Sequence, residues 1–288
     1  MKFSQILGDC DLELVKKSEQ KLTATFMELA TSYDNRNFGS RLGGDVFLHQ
    51  IVSPARHICD ARSVKIDEAI AQESDPIKKW KLEQTNKHLV RTASTDGQSF
   101  WWSPKFIVSK STIGVRLVVC HEGGHVIYMH PMLRGNRNKV LWNISIDYKI
   151  NYGIISDLRA RKHQDPVGLF TQELGEFISL QEYLDFLKDP FNPPEKLSSW
   201  NPALALKHAI NSEDNTQFPR KQFYYAEPNL KANVKRPEFI YDLIWSQTPK
   251  CPTCGKIGIW NKPNEYLKLE QEFKEKFNLP SSNDHAHS

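Results

Sequence analysis

The sequence predicts an α+β fold in which one central helix packs on a small β-sheet or hairpin, behind a helical N-terminal region. Three observations carry that reading. Apolar residues recur at helical spacing through residues 10–34, at Leu12, Leu14, Val15, Leu22, Phe26, Leu29 and Ala30. Residues 88–102 change character, with Thr95-Asp96-Gly97 set between two alternating runs, the signal of a β-hairpin. Residues 109–151 then read as two helices joined by the polar turn Arg134-Gly135-Asn136-Arg137-Asn138-Lys139.

Taken in order, the first element is the amphipathic helix over 10–34. Arg41-Leu42-Gly43-Gly44-Asp45 is a turn, and Val46 to Ile51 a short apolar element. Pro54 to Asp60 is ambiguous: His57 and Cys59 form a His-x-Cys pair that a metal could use, but plain packing is the simpler account. Residues 66–87 read as a charged, solvated helix. The hairpin pairs His88 to Ser94 with Gln98 to Trp102, and Trp101 and Trp102 are assigned to core and rim.

The next helix is capped by Ser109 or Ser111, and its apolar residues are Ile113, Leu117, Val118 and Cys120. After Asn151 the periodicity fades through Asp165-Pro166-Val167-Gly168, which reads as a loop. Residues 180–187 form a short helix ended by Asp189-Pro190. The stretch 190–236 is rich in Pro, Asn, Ser and Lys, includes Phe223-Tyr224-Tyr225, and reads as long loops wrapped on the domain. The expected division is a helical region 1–85, a core 86–190, a loop-rich region 191–280 and a disordered tail 281–288.

Chemistry concentrates at His121-Glu122-Gly123-Gly124-His125. Helical positions four apart sit about 40° from each other, so both imidazoles can address one ion. Glu122 lies one step round, where a carboxylate can take a proton from water attacking a carbonyl. This is the HExxH arrangement of zinc peptidases. Five letters do not decide the matter, and context must. Gly123 and Gly124 each cost about 1 kcal/mol in a helix relative to alanine, which points to a backbone or substrate coming close. On the second helix Asn143, Asp147 and Asn151 share one face, opposite apolar Leu141, Ile144, Ile146 and Ile150. A polar stripe on an apolar helix needs partners.

With those residues in view the chain resembles one family. The run Thr95-Asp96-Gly97, Ser103-Pro104-Lys105-Phe106, His121 to His125, His130-Pro131, Arg134 and Asn143-x3-Asp147-x3-Asn151 is similar to the metallopeptidase domain usually found ahead of a VWA-like domain. Ser179-Leu180-Gln181-Glu182-Tyr183-Leu184-x2-Leu187 is similar to that family's short helix after the core. The resemblance covers roughly residues 86–190. It implies a zincin-like fold and metal-dependent peptide hydrolysis, and implies the metal site more firmly than the activity. No recognisable VWA-like domain follows. In zincins a strand beside the metal helix pairs with extended substrate, and the 98–102 or 88–94 strand is the candidate, with a hairpin that merely covers the helix as the equal alternative. The loop after Asn151 would then lie over the site.

Catalytic zinc commonly takes three protein ligands and a water. With His121 and His125 as two, Asp147 and His130 compete for the third place. His130 would point about 140° away from His125 on an unbroken helix, and no glycine after His125 forces a break. Asp147 sits mid-helix on the polar stripe and is favoured, leaving Asn143 and Asn151 to orient it or pin the helices. Tyr148, Tyr152 and His163 are candidates to stabilise an oxyanion. The expected reaction is zinc-dependent, endopeptidase-like peptide hydrolysis with Glu122 as the base. The rival is a non-catalytic, metal-stabilised binding module whose aromatic loops 219–245 hold a protein partner.

A second motif, Cys251-Pro252-Thr253-Cys254-Gly255-Lys256, has the shape of half a zinc knuckle. A structural zinc there needs further ligands, and Cys10, Cys59, His208, His285 and His287 are all open; unmetallated thiols in a turn, or a redox pair, are the other readings. Composition bounds the rest. Of 288 residues 39% are hydrophobic, enough for a real core, and a net charge of +4 makes a weak case for nucleic acid or acidic membranes. No apolar run suits a secretory signal or membrane span, and five scattered cysteines fit a reducing compartment. A cytoplasmic protein acting on a protein or peptide is expected.

Overall fold

The computed structural model describes residues 3–6, 12–31, 55–75, 78–79, 82, 86, 89–211, 221–230, 236–250, 257 and 262–276. Arg41 to Ile51, His88, Cys251, Cys254 and the tail after 280 lie outside the described residues. The chain divides into two compact units, Met1–Leu180 with Phe223–Leu243, and Gln181–Gln222 with Ile244–Ser288.

The first unit is built on a four-stranded sheet of order β1-β2-β4-β3. Its strands are β1 (Phe3–Ile6), β2 (Arg56–Asp60), β3 (Ala93–Thr95) and β4 (Ser99–Trp102). β1, β2 and β4 run parallel, and β3 runs antiparallel to β4. Two strands thus come from the region read as helical. The reason is burial: β2 is an inner strand, and four of its five residues are buried, so it shows no alternation. The hairpin stands where Asp96-Gly97 predicts it, on shorter strands. Asp96 Oδ1 accepts from the amides of Gln98 (2.8 Å) and Ser99 (2.6 Å), and Gly97 takes the positive φ of +90°. Among the described residues β4 is interior to the sheet, so of the two expected edge strands it is the first run, now Ala93–Thr95, that lies at an edge.

Between the strands come α1 (Leu12–Thr31) and α2 (Arg62–Gln72). α1 buries Val15, Leu22, Phe26 and Leu29, and Ser18 on the same side accepts from Trp102 Nε1 at 3.4 Å. α2 starts before the expected helix and stops at Gln72, where Glu73 adopts an extended backbone. After the hairpin, α3 (Pro104–Ser109) has its carbonyl end met by Lys21, whose ammonium donates to Val108 O and Lys110 O.

Next comes α4 (Thr112–Ile127), capped by Ser111, whose Oγ accepts from Gly114 N at 3.0 Å; Ser109 instead ends α3. After the short α5 (His130–Leu133), α6 (Lys139–Ala160) is capped by Asn138, which accepts from Val140 N and Leu141 N. α6 continues nine residues beyond Asn151 (160 − 151), where a loop was expected. Tyr152, Gly153, Ile154 and Ile155 are buried in an unbroken run, which hides the helical period until polar residues resume at Ser156. α7 (Pro166–Glu173) follows, then β5 (Phe177–Ile178), which pairs in parallel with β6 (Tyr224–Tyr225). α4 touches α1, β3, α6 and α7, and buries Val115, Leu117, Val118, Val119, Gly123 and Gly124. It is the central helix of the unit.

The second unit holds most of α8 (Leu180–Lys188), a 3-10 turn over Glu195–Trp200, α9 (Pro202–Asn211) and α11 (Asn264–Lys276); α10 (Pro237–Gln247) precedes the last. α9 packs on α11, and Phe191 meets Tyr266 edge-on at 5.0 Å. The stretch 190–236 is therefore partly helical, where long loops were expected. Among the described residues no helix is long and apolar enough to cross a membrane.

Candidate metal centre

His121 and His125 sit one turn apart on α4, and Asp147 faces them from α6. Asp147 Oδ1 lies 3.6 Å from His121 Nε2 and 3.3 Å from His125 Nε2, and the two Nε2 atoms are 3.3 Å apart. Ligands about 2.0–2.1 Å from one tetrahedral ion stand about 3.3 Å from each other, so this triangle is one face of such a tetrahedron. Among the described residues it is the only cluster of three His, Cys, Asp or Glu donors close enough to hold an ion. The side chains of His121, Asp147 and His125 are 15%, 13% and 8% exposed, so the cluster is buried but reachable.

The surrounding groups settle which atoms face inward. Asn151 donates through Nδ2 to Tyr225 O at 2.8 Å, which leaves its Oδ1 to accept from His121 Nδ1 at 2.9 Å. The proton of His121 is then on Nδ1, and the Nε2 lone pair faces His125 and Asp147. Asn143 Nδ2 donates to Asp147 Oδ2 at 3.0 Å, leaving Oδ1 for the centre. That Oδ1 is buried without a hydrogen-bond partner. An orphaned carboxylate oxygen beside two imidazole lone pairs is a donor set short of a cation. The residues fit a divalent metal ion.

Electrostatics agree. Burial holds both histidines below their ordinary range, His125 at about 4, so neutral imidazoles are available at pH 7. Burial raises Asp147 to about 6, and burial with the Asp147 charge raises Glu122 to about 8. Two buried carboxyl groups held above their ordinary range, Glu122 partly by the charge of Asp147, are relieved by positive charge placed beside them.

His130 is not part of the cluster. The helix does break after Ile127, but without glycine: Met129 takes the left-handed backbone, with φ of 49° and ψ of 37°. That turn lays the His130 ring against the His125 ring at 4.7 Å, and Trp142 Nε1 donates to His130 O at 2.9 Å. Of the oxyanion candidates, Tyr148 spends its hydroxyl on Ser179 O at 3.0 Å. Tyr152 is buried, and His163 lies exposed beyond the end of α6, more than three helical turns from Asp147.

The hydroxyl that sequence reasoning missed is Tyr224. It is pushed up to about 12 by burial and by the charges of Glu122 and Asp147, so it stands within electrostatic reach of both carboxyl groups. Its ring rests on Phe170 and over Gly175, whose φ is +130°. Phe223-Tyr224-Tyr225 was legible as an aromatic cluster, but nothing local ties it to a motif a hundred residues earlier. Cys251 and Cys254 lie outside the described residues, so the structure says nothing of the knuckle. His57 and Cys59 are buried, with His57 among the rings of Phe26, Phe100 and Trp102.

Residues 76–185 match the family described as "Putative metallopeptidase domain". The matched segment contains the β3–β4 hairpin, α4, α6 and every residue of the cluster. No curated protein and no solved structure matches the chain.

Proposed function

We propose that this chain is a zinc-dependent peptide hydrolase of the endopeptidase type, taking the reaction class from the family of residues 76–185 and the centre from His121, His125 and Asp147. The observation that carries the reading is the triangle of donor atoms, 3.3, 3.3 and 3.6 Å on its sides. Two imidazoles and a single carboxylate in tetrahedral spacing suit zinc better than the harder, oxygen-loving cations. When bound, the ion would supply a Lewis acid that polarises the scissile carbonyl and makes water a better nucleophile.

The chain's own residues do the rest. Glu122 takes the proton from the attacking water and delivers it to the leaving nitrogen. Tyr224 is the hydroxyl from which the developing oxyanion can accept a hydrogen bond. β3, an edge strand in contact with α4, is where an extended peptide can add by β-augmentation, as in a zincin-like fold. The cluster has three protein donors and not four among the described residues, which favours a catalytic over a closed structural site. Replacing Glu122 by Gln should leave zinc bound while cleavage of a quenched peptide library falls by at least about 100-fold. Cleavage at the parental rate by that variant would overturn the assignment.

A further inference from the structure

Gly124 lies between the two histidines' turns, buried, on the side of α4 that meets α6. A Cβ placed on it would stand 2.9 Å from Ile150 Cγ2, 3.0 Å from Cγ1 and 3.2 Å from Cδ1. Carbon atoms in contact settle near 3.5–4.0 Å, so a methyl group does not fit. Ile150 cannot step aside. It is fully buried, and a β-branched side chain on a helix has essentially one χ1 rotamer. The relief must come from separating the helices.

The position of Ile150 makes that separation chemically important. It is three residues beyond Asp147 and next to Asn151. The same turn of α6 that meets Gly124 therefore carries the carboxylate facing both histidines and the amide that sets the tautomer of His121. From this we infer that Gly124 is a positioning residue for the metal centre: its bare α-carbon lets α6 come close enough for Asp147 and Asn151 to reach the imidazoles of α4. The inference rests on the zinc reading above. It also explains why a residue unfavourable in helices stands inside the motif. Were the glycine merely tolerated, alanine there would strengthen the helix and leave the centre alone.

The test is zinc affinity of the purified full chain, measured by competition with a chromophoric chelator, with His125→Ala as the blank. Gly124→Ala should bind zinc about 10–100-fold more weakly than the parent while keeping its circular dichroism, the range seen when a supporting group around a metal is lost. The double variant Gly124→Ala/Ile150→Ala removes all three clashing carbons and should recover most of the affinity. Gly124→Ala/Ile150→Val keeps Cγ1 and Cγ2 and should stay weak. Parental affinity in Gly124→Ala, or a double alanine variant that binds no better than the single one, overturns the inference. If Gly124→Ala fails to fold, the two double variants carry the test, and equal affinity in them overturns it. A parent that binds no more zinc than the blank overturns the zinc reading itself, a different and distinguishable failure.

Discussion

His57 and His125 are both buried histidines of the first unit, and both have a second metal-type side chain close in sequence. His57 is on an inner β-strand with Cys59 two residues on, hence on the same strand face. What surrounds it is aromatic: Phe26 at 5.0 Å, Phe100 at 5.9 Å and Trp102 at 6.3 Å between ring centroids. His125 stands on a helix, and the element facing it brings a carboxylate to 3.3 Å. Short-range spacing of donors is thus common to both places. What differs is whether a second element, from outside the motif, closes the set. At His125 that element is α6, whose Asp147 and Asn151 meet the histidines with one charge and one amide, while Asn143 holds the far oxygen of Asp147.

The contrast can be broken or sharpened by substitution. The largest effect is expected from Asp147→Ala, which removes the group from the facing helix: zinc affinity should fall by more than about 100-fold, beyond the loss for a merely supporting residue. Isothermal titration would read it. Asn151→Ala should weaken zinc by about 10–100-fold, since His121 loses the partner that sets its tautomer. It should also cost about 1–3 kcal/mol in thermal unfolding, because Tyr225 O loses its donor. Asn143 is exposed, and its alanine variant should change zinc affinity less than tenfold.

Acidity gives a graded version of the same test. Asp147 is raised from 3.8 to about 6 in the metal-free protein, so below that pH zinc must displace its proton. Affinity should fall about tenfold per pH unit below 6, before His125, held near 4, takes up a proton. For stability the sign is opposite. A carboxyl raised by folding favours the folded state at low pH and loses that advantage as pH rises through its folded value. Metal-free protein should therefore lose stability as pH rises from 3.8 to about 6 for Asp147 and from 4.5 to about 8 for Glu122, with no further loss from either group above those values, and the shift in Tm on adding zinc should grow as pH rises toward 6. The smallest effect belongs to the other histidine: His57→Phe should leave zinc affinity within twofold, whatever it does to packing. A large loss there would erase the distinction between the two places.

Much of the centre was legible because its signals are short-range. Helical spacing placed His121 and His125 on one face, and the polar stripe on an otherwise apolar segment drew attention to Asp147 and Asn151. The hairpin followed from Asp96-Gly97, whose carboxylate and free φ make the turn locally. The misses share a cause as well. β2 and the stretch of α6 from Tyr152 to Ile155 are buried on more than one side, so neither shows the alternation or amphipathic period that marks half-buried elements. The break after Ile127 uses Met129 in a left-handed conformation, which no sequence rule assigns to methionine. Tyr224 reaches the site only through the pairing of β5 with β6, a contact set by tertiary structure. Asn151 to Tyr225 is the same kind of link.

Counting zinc tests the account most directly. Purified parent protein and its His121→Ala/His125→Ala variant, each dialysed against the same buffered zinc, should differ by one equivalent per chain, with both still folded by circular dichroism. Equal zinc in the two would contradict the claim that α4 and α6 together hold a metal ion.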